Sequence, residues 1–304
     1  MGNGEMQIPH VYIVILNWNG KEDTLECLRS VQAVDYPRYQ ILVVDNASSD
    51  GSAEAIRAAF PGVALIVNES NLGFAAGNNV GIEHALEEGA DYIFLLNNDT
   101  TVDRMVLVEL VKTCEADPTV GLASPKVYYY DLPNTIFYAG ARRYWLPLFP
   151  DPIGIGEEDR GQHDAVREVD YVWGQAMFIK RRVIEDIGLF DPGFFMYYED
   201  CDYCLRAAEV GYKIIYVPLA RIWHKIGAGT EGDLQARWRY RAQSMAYFHR
   251  KHSRFGPAQA ALLTLCSTAR ILARELPKGK IGLAWRLARP YVQGLSWEAE
   301  AREQ

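Results

Sequence analysis

The chain has 304 residues, 49% of them hydrophobic, which is enough for a sizeable core in one large domain or in one domain with an extension. A formal net charge of −8 argues against nucleic-acid binding over a broad surface. The charge is uneven: Arg237 to Arg289 carries twelve Lys/Arg against one acid, Glu275, whereas everything before Arg237 nets −17. An acidic body thus leads into a basic, partly amphipathic C-terminal extension.

Five scattered cysteines (Cys27, Cys114, Cys201, Cys204 and Cys266) form no disulfide framework and read as a reducing compartment. Cys201 and Cys204 have redox or zinc spacing, but no second pair accompanies them, so they read as helix cysteines. The start "MGNGEMQIPH" lacks the basic start and apolar core of a signal peptide, and no run approaches the ~20 apolar residues of a membrane span. A cytoplasmic protein is expected, soluble or peripheral on the inner face of the membrane.

In chain order, "VYIVIL" (11–16) predicts a first strand, and Leu25, Leu28 and Val31 at helical spacing predict the helix after it. "ILVVD" (41–45) is a second strand ending at an acid, followed by a short capped helix. "VALIVN" (63–68) predicts a third strand buried like the others, and "GFAAGNNVGIEHALEEG" (73–89) its helix. "DYIFLL" (91–96) is the fourth strand, with a helix over 102–116. Such alternation predicts an α/β fold with a mainly parallel sheet. Beyond Gly121 the rhythm breaks into an aromatic, turn-rich stretch, and "DPIGIGEEDRGQHD" reads as a mobile loop. A strand over 169–179, a short helix, a helix after Tyr198 with Cys204, Leu205 and Ala208 inward, and a strand over 212–218 follow. From about Gln235 the chain is mostly helical, so residues 8–234 are expected as the catalytic domain and 235–304 as a helical extension.

Polar residues collect at the carboxyl ends of the first four strands: Asn17 and Asn19, Asp45 and Asn46, Asn68 and Asn71, then Asn97, Asn98 and Asp99. Any one could be an ordinary cap or Asx turn, but four strand ends at one rim indicate a binding crevice. "NWNGKED" after the first strand is neither GxGxxG nor a P-loop, so dinucleotide and ATP-hydrolase readings lose their support. A strand-end acid can still hold base or ribose while a divalent cation gathers a diphosphate.

Seven segments in order then resemble one family. They are "VYIVILNWNG", "VVDNASSDGS", "NLGFAAGNNVGI", "LLNNDT", "WGQAMFIKR", "FDPGFFMYYEDCDYCLRAAEVGY" and "WHKIGAG". Together they are similar to the inverting GT-A glycosyltransferases of family 2, especially the bacterial rhamnosyltransferase-like branch, over residues 8 to 230. The resemblance implies a GT-A nucleotide-diphospho-sugar transferase fold with a helical C-terminal extension. It places Asp45 on the nucleotide base, with Asn17, Asn19, Asn46 and Asp50 near the same pocket, and Asn71, Gly73 and Asn78 in the segment lining the donor site. Asn97, Asn98 and Asp99 stand where the family has its DxD metal motif, with Asp99 as the direct ligand of Mg²⁺ or Mn²⁺. Asn97 replaces an acid there and brings an oxygen but no charge. Asp200 matches the catalytic base, flanked by Glu199 and Asp202 on the acceptor side with Trp173 and Gly174. His224 matches a histidine that ligates the metal in some relatives, although a lone histidine after tryptophan is as readily a packed ring.

Transfer from a sugar diphosphate needs a base for the acceptor hydroxyl and positive charge on the leaving group, and "YYEDCD" and the metal supply these. Crowded carboxylates raise one another's pKa, which suits a base; the bland alternative is a solvated first helical turn. The expected donor is dTDP-rhamnose, with UDP-galactofuranose, UDP-glucose and UDP-N-acetylhexosamine open, and the acceptor a cell-surface polysaccharide or lipid-linked glycan. A nucleotidyltransferase would want a basic Gly-rich loop after the first strand; a non-catalytic sugar-binding protein on the same fold is the other alternative. In the tail, Trp238, Met245, Phe248, Leu262, Leu265, Ile271, Leu272, Leu283, Trp285 and Leu287 interleave with Arg and Lys. Residues 237–289 therefore suit either an anionic membrane surface or packing on the body or a second subunit in a homodimer.

Overall fold

The computed structural model describes residues 8–143, 150–225 and 234–253, with 258–259, 261–266 and 269. The first half runs β1 (Val11–Asn17), α1 (Lys21–Val31), β2 (Tyr39–Asp45), α2 (Ser52–Ala59), β3 (Ala64–Val67), α3 (Gly73–Glu87) and β4 (Tyr92–Asn97). Then come β5 (Thr100–Val102), α4 (Val106–Ala116), β6 (Val120–Tyr129), β7 (Ile136–Tyr138), β8 (Ala141–Arg143), β9 (Pro150–Pro152) and β10 (Arg167–Glu168). β11 (Ala176–Lys180), α5 (Arg181–Ile187), α6 (Glu199–Glu209), β12 (Lys213–His224) and α7 (Leu234–Lys251) follow.

Among the described residues ten strands form one sheet, whose main path runs β10-β12-β6-β11-β4-β1-β2-β3. β3, β2, β1 and β4 are mutually parallel, as are β6 and β12, and β11 runs antiparallel between β4 and β6. The result is an α/β architecture with a mostly parallel central sheet. β1 and β4 are almost wholly buried because helices cover both faces, which is why their sequences are continuous apolar runs. Each fully buried Val, Ile, Leu or Phe there contributes about 1.5–3 kcal/mol. The strand order 3-2-1-4 reverses direction at β1, so the crevice opens at the carboxyl ends of β1 and β4.

Four expectations change. β3 is an edge strand paired only with β2, and Val67 is exposed. Residues 100–102 are a strand, β5, paired with the end of β12; α4 starts only after Asp103, whose carboxylate accepts the Met105 N–H. On α6 the buried alanine is Ala207, and Ala208 is exposed. The loop after β9 is fastened down: the fully buried Lys126 of β6 pairs with Asp159 at 2.9 Å and Asp164 at 2.6 Å, and the Tyr128 hydroxyl donates to Asp159. A charge buried that deeply stays folded in only because it is paired.

Met245, Ala246 and Phe248 of α7 are buried against the body. Leu262 and Leu265, by contrast, are exposed, with Leu263 buried between them. Ile271, Leu272, Leu283, Trp285, Leu287 and the side chain of Trp238 lie outside the described residues.

Candidate active site

The polar rim is a network of amides holding one another. Asn17, at the end of β1, is fully buried. Its Nδ2 donates to Asp45 Oδ2 at 2.7 Å and to Ser48 Oγ. Its Oδ1 accepts from Gly20 N, Thr24 Oγ1 and Asn98 Nδ2. Asn98 donates to Thr24 Oγ1 as well, and a Cβ on Gly20 would stand 2.2 Å from that amide nitrogen. One strand over, Asn46 donates to Asn71 Oδ1 and Gly73 O, and accepts from Asn68 Nδ2 and Leu72 N. Asn17 and Asn46, expected on the donor, therefore have their hydrogen-bonding capacity taken up by the protein and act as struts of the crevice. Gly73 has φ +79 and Phe195 O only 2.4 Å from where its Cβ would be, so the chain needs glycine where α3 begins.

Asp45 is buried and takes Asn17 Nδ2 and Ser48 N, while Asn19 (φ 51) lies exposed and accepts Ser49 N. Asp50 accepts the amides of Lys21 and Ser52 and the Ser52 hydroxyl, tying together the starts of α1 and α2. Burial pushes its pKa up, but those hydrogen bonds outweigh it and hold the carboxyl below its ordinary value. Asn78 is buried and donates back to Phe74 O within α3.

At the next corner, pairing of β5 with β12 sets Thr100 opposite His224, and Lys225 N donates to Asp99 O at 2.8 Å. His224 Nε2 lies 3.0 Å from Asp99 Oδ1, both buried. The two are not aligned for a hydrogen bond, and neither they nor His224 Nδ1 finds another partner. Two unpaired, converging ligand atoms of this kind suit one cation between them. Among the described residues, however, no group of three or more His, Cys, Asp or Glu gathers for a metal. A divalent ion there would draw its remaining oxygens from a diphosphate and water, as Mg²⁺ usually does. Lys225 Nζ is clamped by Asp23 at 2.8 Å and Glu26 at 2.5 Å, which fixes the strand end carrying His224.

The third corner is the start of α6. Asp200 Oδ2 accepts Gly174 N at 3.1 Å, and Oδ1 accepts Cys201 N at 2.7 Å. Gly174 sits in the turn before β11, where Asn97 N donates to Gln175 O, so the ends of β4, β11 and α6 meet. Trp173 stacks on Tyr138 at 4.5 Å and touches Phe137, whose ring lies 5.6 Å from His224. Burial raises the Asp200 pKa, opposed by the Gly174 and Cys201 donors, and the net direction is up. Glu199 is pushed well above its ordinary range, first by burial and then by the Asp200 charge, and its Oε2 has no partner. Of the two adjacent carboxyls, both raised, Glu199 is pushed further, and Asp200 carries the two N–H donors that favour its charged form at the head of a helix. Asp202, expected on the acceptor side, is fully buried and faces elsewhere: Arg206, Lys251 and His252 surround it.

The Glycosyl transferase family 2 model matches residues 12–188, more than half of the chain. The chain belongs to glycosyl transferase family 2. The low-salt glycan biosynthesis hexosyltransferase Agl10 of Haloferax volcanii is 26% identical over 212 residues, 66% of this chain and 62% of its own length. Rhamnosyltransferase WbbL of Escherichia coli is 27% identical, over 70% of this chain and 83% of its own. The N-acetylglucosaminyl-diphospho-decaprenol L-rhamnosyltransferase of Mycobacterium tuberculosis is 26% identical, over 64% and 68%. Two solved glycosyltransferases share the GT-A fold. The mannosyltransferase PcManGT of Pyrobaculum calidifontis, in complex with GDP-Man and Mn²⁺, has TM-score 0.60 and 20% identity over 98% of this chain and 89% of its own. GalNAc-T7 with UDP, GalNAc and Mn²⁺ has TM-score 0.63 and 18% identity over 81% of this chain and 51% of its own. No helix among the described residues is long and apolar enough to cross a membrane.

Sequence reading missed several residues that build the site. Thr24 and Ser48 bind Asn17, and Asn79 exchanges two hydrogen bonds with Phe190, stapling α3 to the loop before α6. Only Lys225 had a visible signal, its place beside His224 in "WHK".

Proposed function

We propose that this family 2 glycosyltransferase moves a sugar from a nucleoside diphosphate to a hydroxyl of a polysaccharide or lipid-linked glycan, with inversion. Rhamnose from dTDP-rhamnose is the leading donor, because relatives matched over most of this chain bear rhamnosyltransferase names. The observation that carries the reading is the ionisable Asp200 carboxylate. It is held by two backbone N–H groups at the junction of β4, β11 and α6, where it keeps partial solvent access beside a buried Glu199.

In this reading Asp200 takes the proton of the acceptor hydroxyl as its oxygen bonds the anomeric carbon, and the carbon–oxygen bond to the diphosphate breaks with its electron pair. The two fixed N–H donors orient the carboxylate and leave a lone pair on each oxygen for that proton. Trp173, on its Tyr138 support, offers an aromatic face to a sugar ring, and Gly174 lets the chain pass close. Asp45, Asn19 and Asp50 define the nucleoside end of the donor pocket, and Asn71, Gly73 and Asn78 its wall. Asp99 and His224 would hold Mg²⁺ or Mn²⁺, with Asn97 at the edge, and the ion would supply positive charge to the departing diphosphate. Thermal-shift screening of dTDP-, UDP- and GDP-sugars with and without Mn²⁺ tests the reading. Stabilisation by a nucleotide sugar that deepens with Mn²⁺ supports it, and no response to any of them refutes it.

Exposed Leu262 and Leu265 within a basic segment support contact with an anionic membrane carrying a lipid-linked acceptor. Because α7 packs on the body, the comparison is flotation on anionic liposomes of the full chain against one ending at Ser253. Equal flotation removes the membrane contact.

A further inference from the structure

The segment leading into α6 is held in a costly conformation. Tyr197 (φ 72) and Tyr198 (φ 68) are consecutive non-glycine residues in the left-handed region, and Glu199 and Asp200 follow at once. Such a turn persists only where surrounding structure over-determines it. Four contacts from α7 brace the segment around it. Ser244 Oγ donates to Met196 O at 2.8 Å, Tyr240 stacks on Phe195 at 4.6 Å, Tyr247 packs on Phe194 at 4.7 Å, and Phe248 packs on Tyr198 at 5.3 Å. From the donor side, Phe74 N donates to Phe195 O at 2.6 Å, so the same segment touches α3.

On the far side of Asp200, α7 grips again. The carboxylate of Asp202 has no exposed surface, and a charge so buried must be compensated. Arg206 supplies one partner at 2.9 Å from within α6 and also binds Ile187 O and Leu189 O. The other two come from the last residue of α7 and the residue after it: Lys251 Nζ at 2.8 Å and His252 Nε2 at 2.9 Å. Lys251 bridges at 2.7 Å to Asp191, which also accepts the Tyr247 hydroxyl. The contacts thus fall on Asp191, Phe194, Phe195, Met196 and Tyr198 before the base and on Asp202 after it.

We propose that α7 is a positioning element for Asp200: Ser244, Lys251 and His252, acting through Met196 and Asp202, hold the left-handed turn and the first turn of α6 so that Asp200 meets Gly174 N. The proposal rests on Asp200 being the base. Misplacement of such a group by about 1 Å costs on the order of a hundredfold in rate.

The test compares full-length wild type with Ser244→Ala, Lys251→Met and Lys251→Arg in two measurements. Hydrogen–deuterium exchange needs no substrate. Ser244→Ala and Lys251→Met should speed exchange in peptides covering 171–176 and 195–203, leaving those over β1 and β2 unchanged, and Lys251→Arg should match wild type. Kinetics use dTDP-rhamnose and a polyprenyl-diphosphate-linked N-acetylglucosamine. Lys251→Met should lose about tenfold or more in kcat and Ser244→Ala several-fold, with donor KM within twofold for both. Exchange that is unchanged at 195–203, confined to α7, or raised evenly along the chain would overturn the proposal, as would kcat within twofold of wild type in both variants. If Lys251→Met fails to fold, the milder Ser244→Ala carries both measurements. A wild type that turns over no dTDP-rhamnose would count against the donor reading alone, and exchange would then decide whether α7 holds the base.

Discussion

The Gly174 N–H donates to Asp200 Oδ2 at 3.1 Å, joining the mouth of β11 to the head of α6 through one bond. The donor has no room for a side chain: a Cβ on Gly174 would stand 2.8 Å from Phe74 Cε1.

Gly174→Ala should therefore force the Phe74 ring or the turn to shift. Overpacking of this kind costs about 1–3 kcal/mol, visible as a lower Tm, and kcat should fall more than donor KM rises. A variant with wild-type Tm and kcat would show that the contact relaxes freely.

His224→Ala removes one of two converging, unpaired ligand atoms. Calorimetric titration of nucleotide sugar should show weaker binding with Mn²⁺ present, by about tenfold or more, the size of loss typical at metal sites. In EDTA, wild type and variant should bind alike. An equal loss in EDTA would make His224 a packing residue.

Glu199 gives a pH signature of definite sign. Its folded-state pKa lies above the ordinary carboxylate value, so between the two the folded chain holds a proton that the unfolded chain has released. This group's contribution to stability thus falls as pH rises through that window. Glu199→Gln should flatten that part of the stability–pH curve measured by urea unfolding, and an unchanged slope would place the charge elsewhere.

His249 on α7 works in the opposite direction. The ring is fully buried, and burial, with a smaller effect from His252, lowers its pKa from 6.5 to about 4. The unfolded chain binds the extra proton first, so stability is full above about pH 6.5 and declines as pH falls toward 4. His249→Gln should show a shallower decline in thermal unfolding over that range. A decline identical to wild type would exclude this histidine as the cause.

Much of this was legible in the sequence, for identifiable reasons. β1, β2 and β4 announce themselves because burial on both faces leaves continuous apolar runs ending at polar residues. β3 has the same composition, yet its place at the edge depends on strand order, which local pattern does not encode. The rim asparagines were visible as a group, but their partners lie 28 and 81 residues away, so struts and ligand contacts look alike in sequence. Asp202 departs from the expected acceptor side for a related reason. Helical spacing puts it on the face of Glu199, but what its carboxylate meets is Lys251 and His252, some fifty residues later. The Asp99–His224 corner is expected from motif resemblance alone, and pairing of β5 with β12 brings the two residues together.

The most direct measurement is the initial rate of sugar transfer by Asp200→Asn against wild type, with donor affinity measured in parallel. Asn keeps the size and an oxygen facing Gly174 N but cannot take up a proton. The account predicts a loss of roughly a hundredfold to ten-thousandfold in kcat, the usual contribution of a general base, with donor affinity unchanged. Transfer within a few-fold of wild type would contradict it.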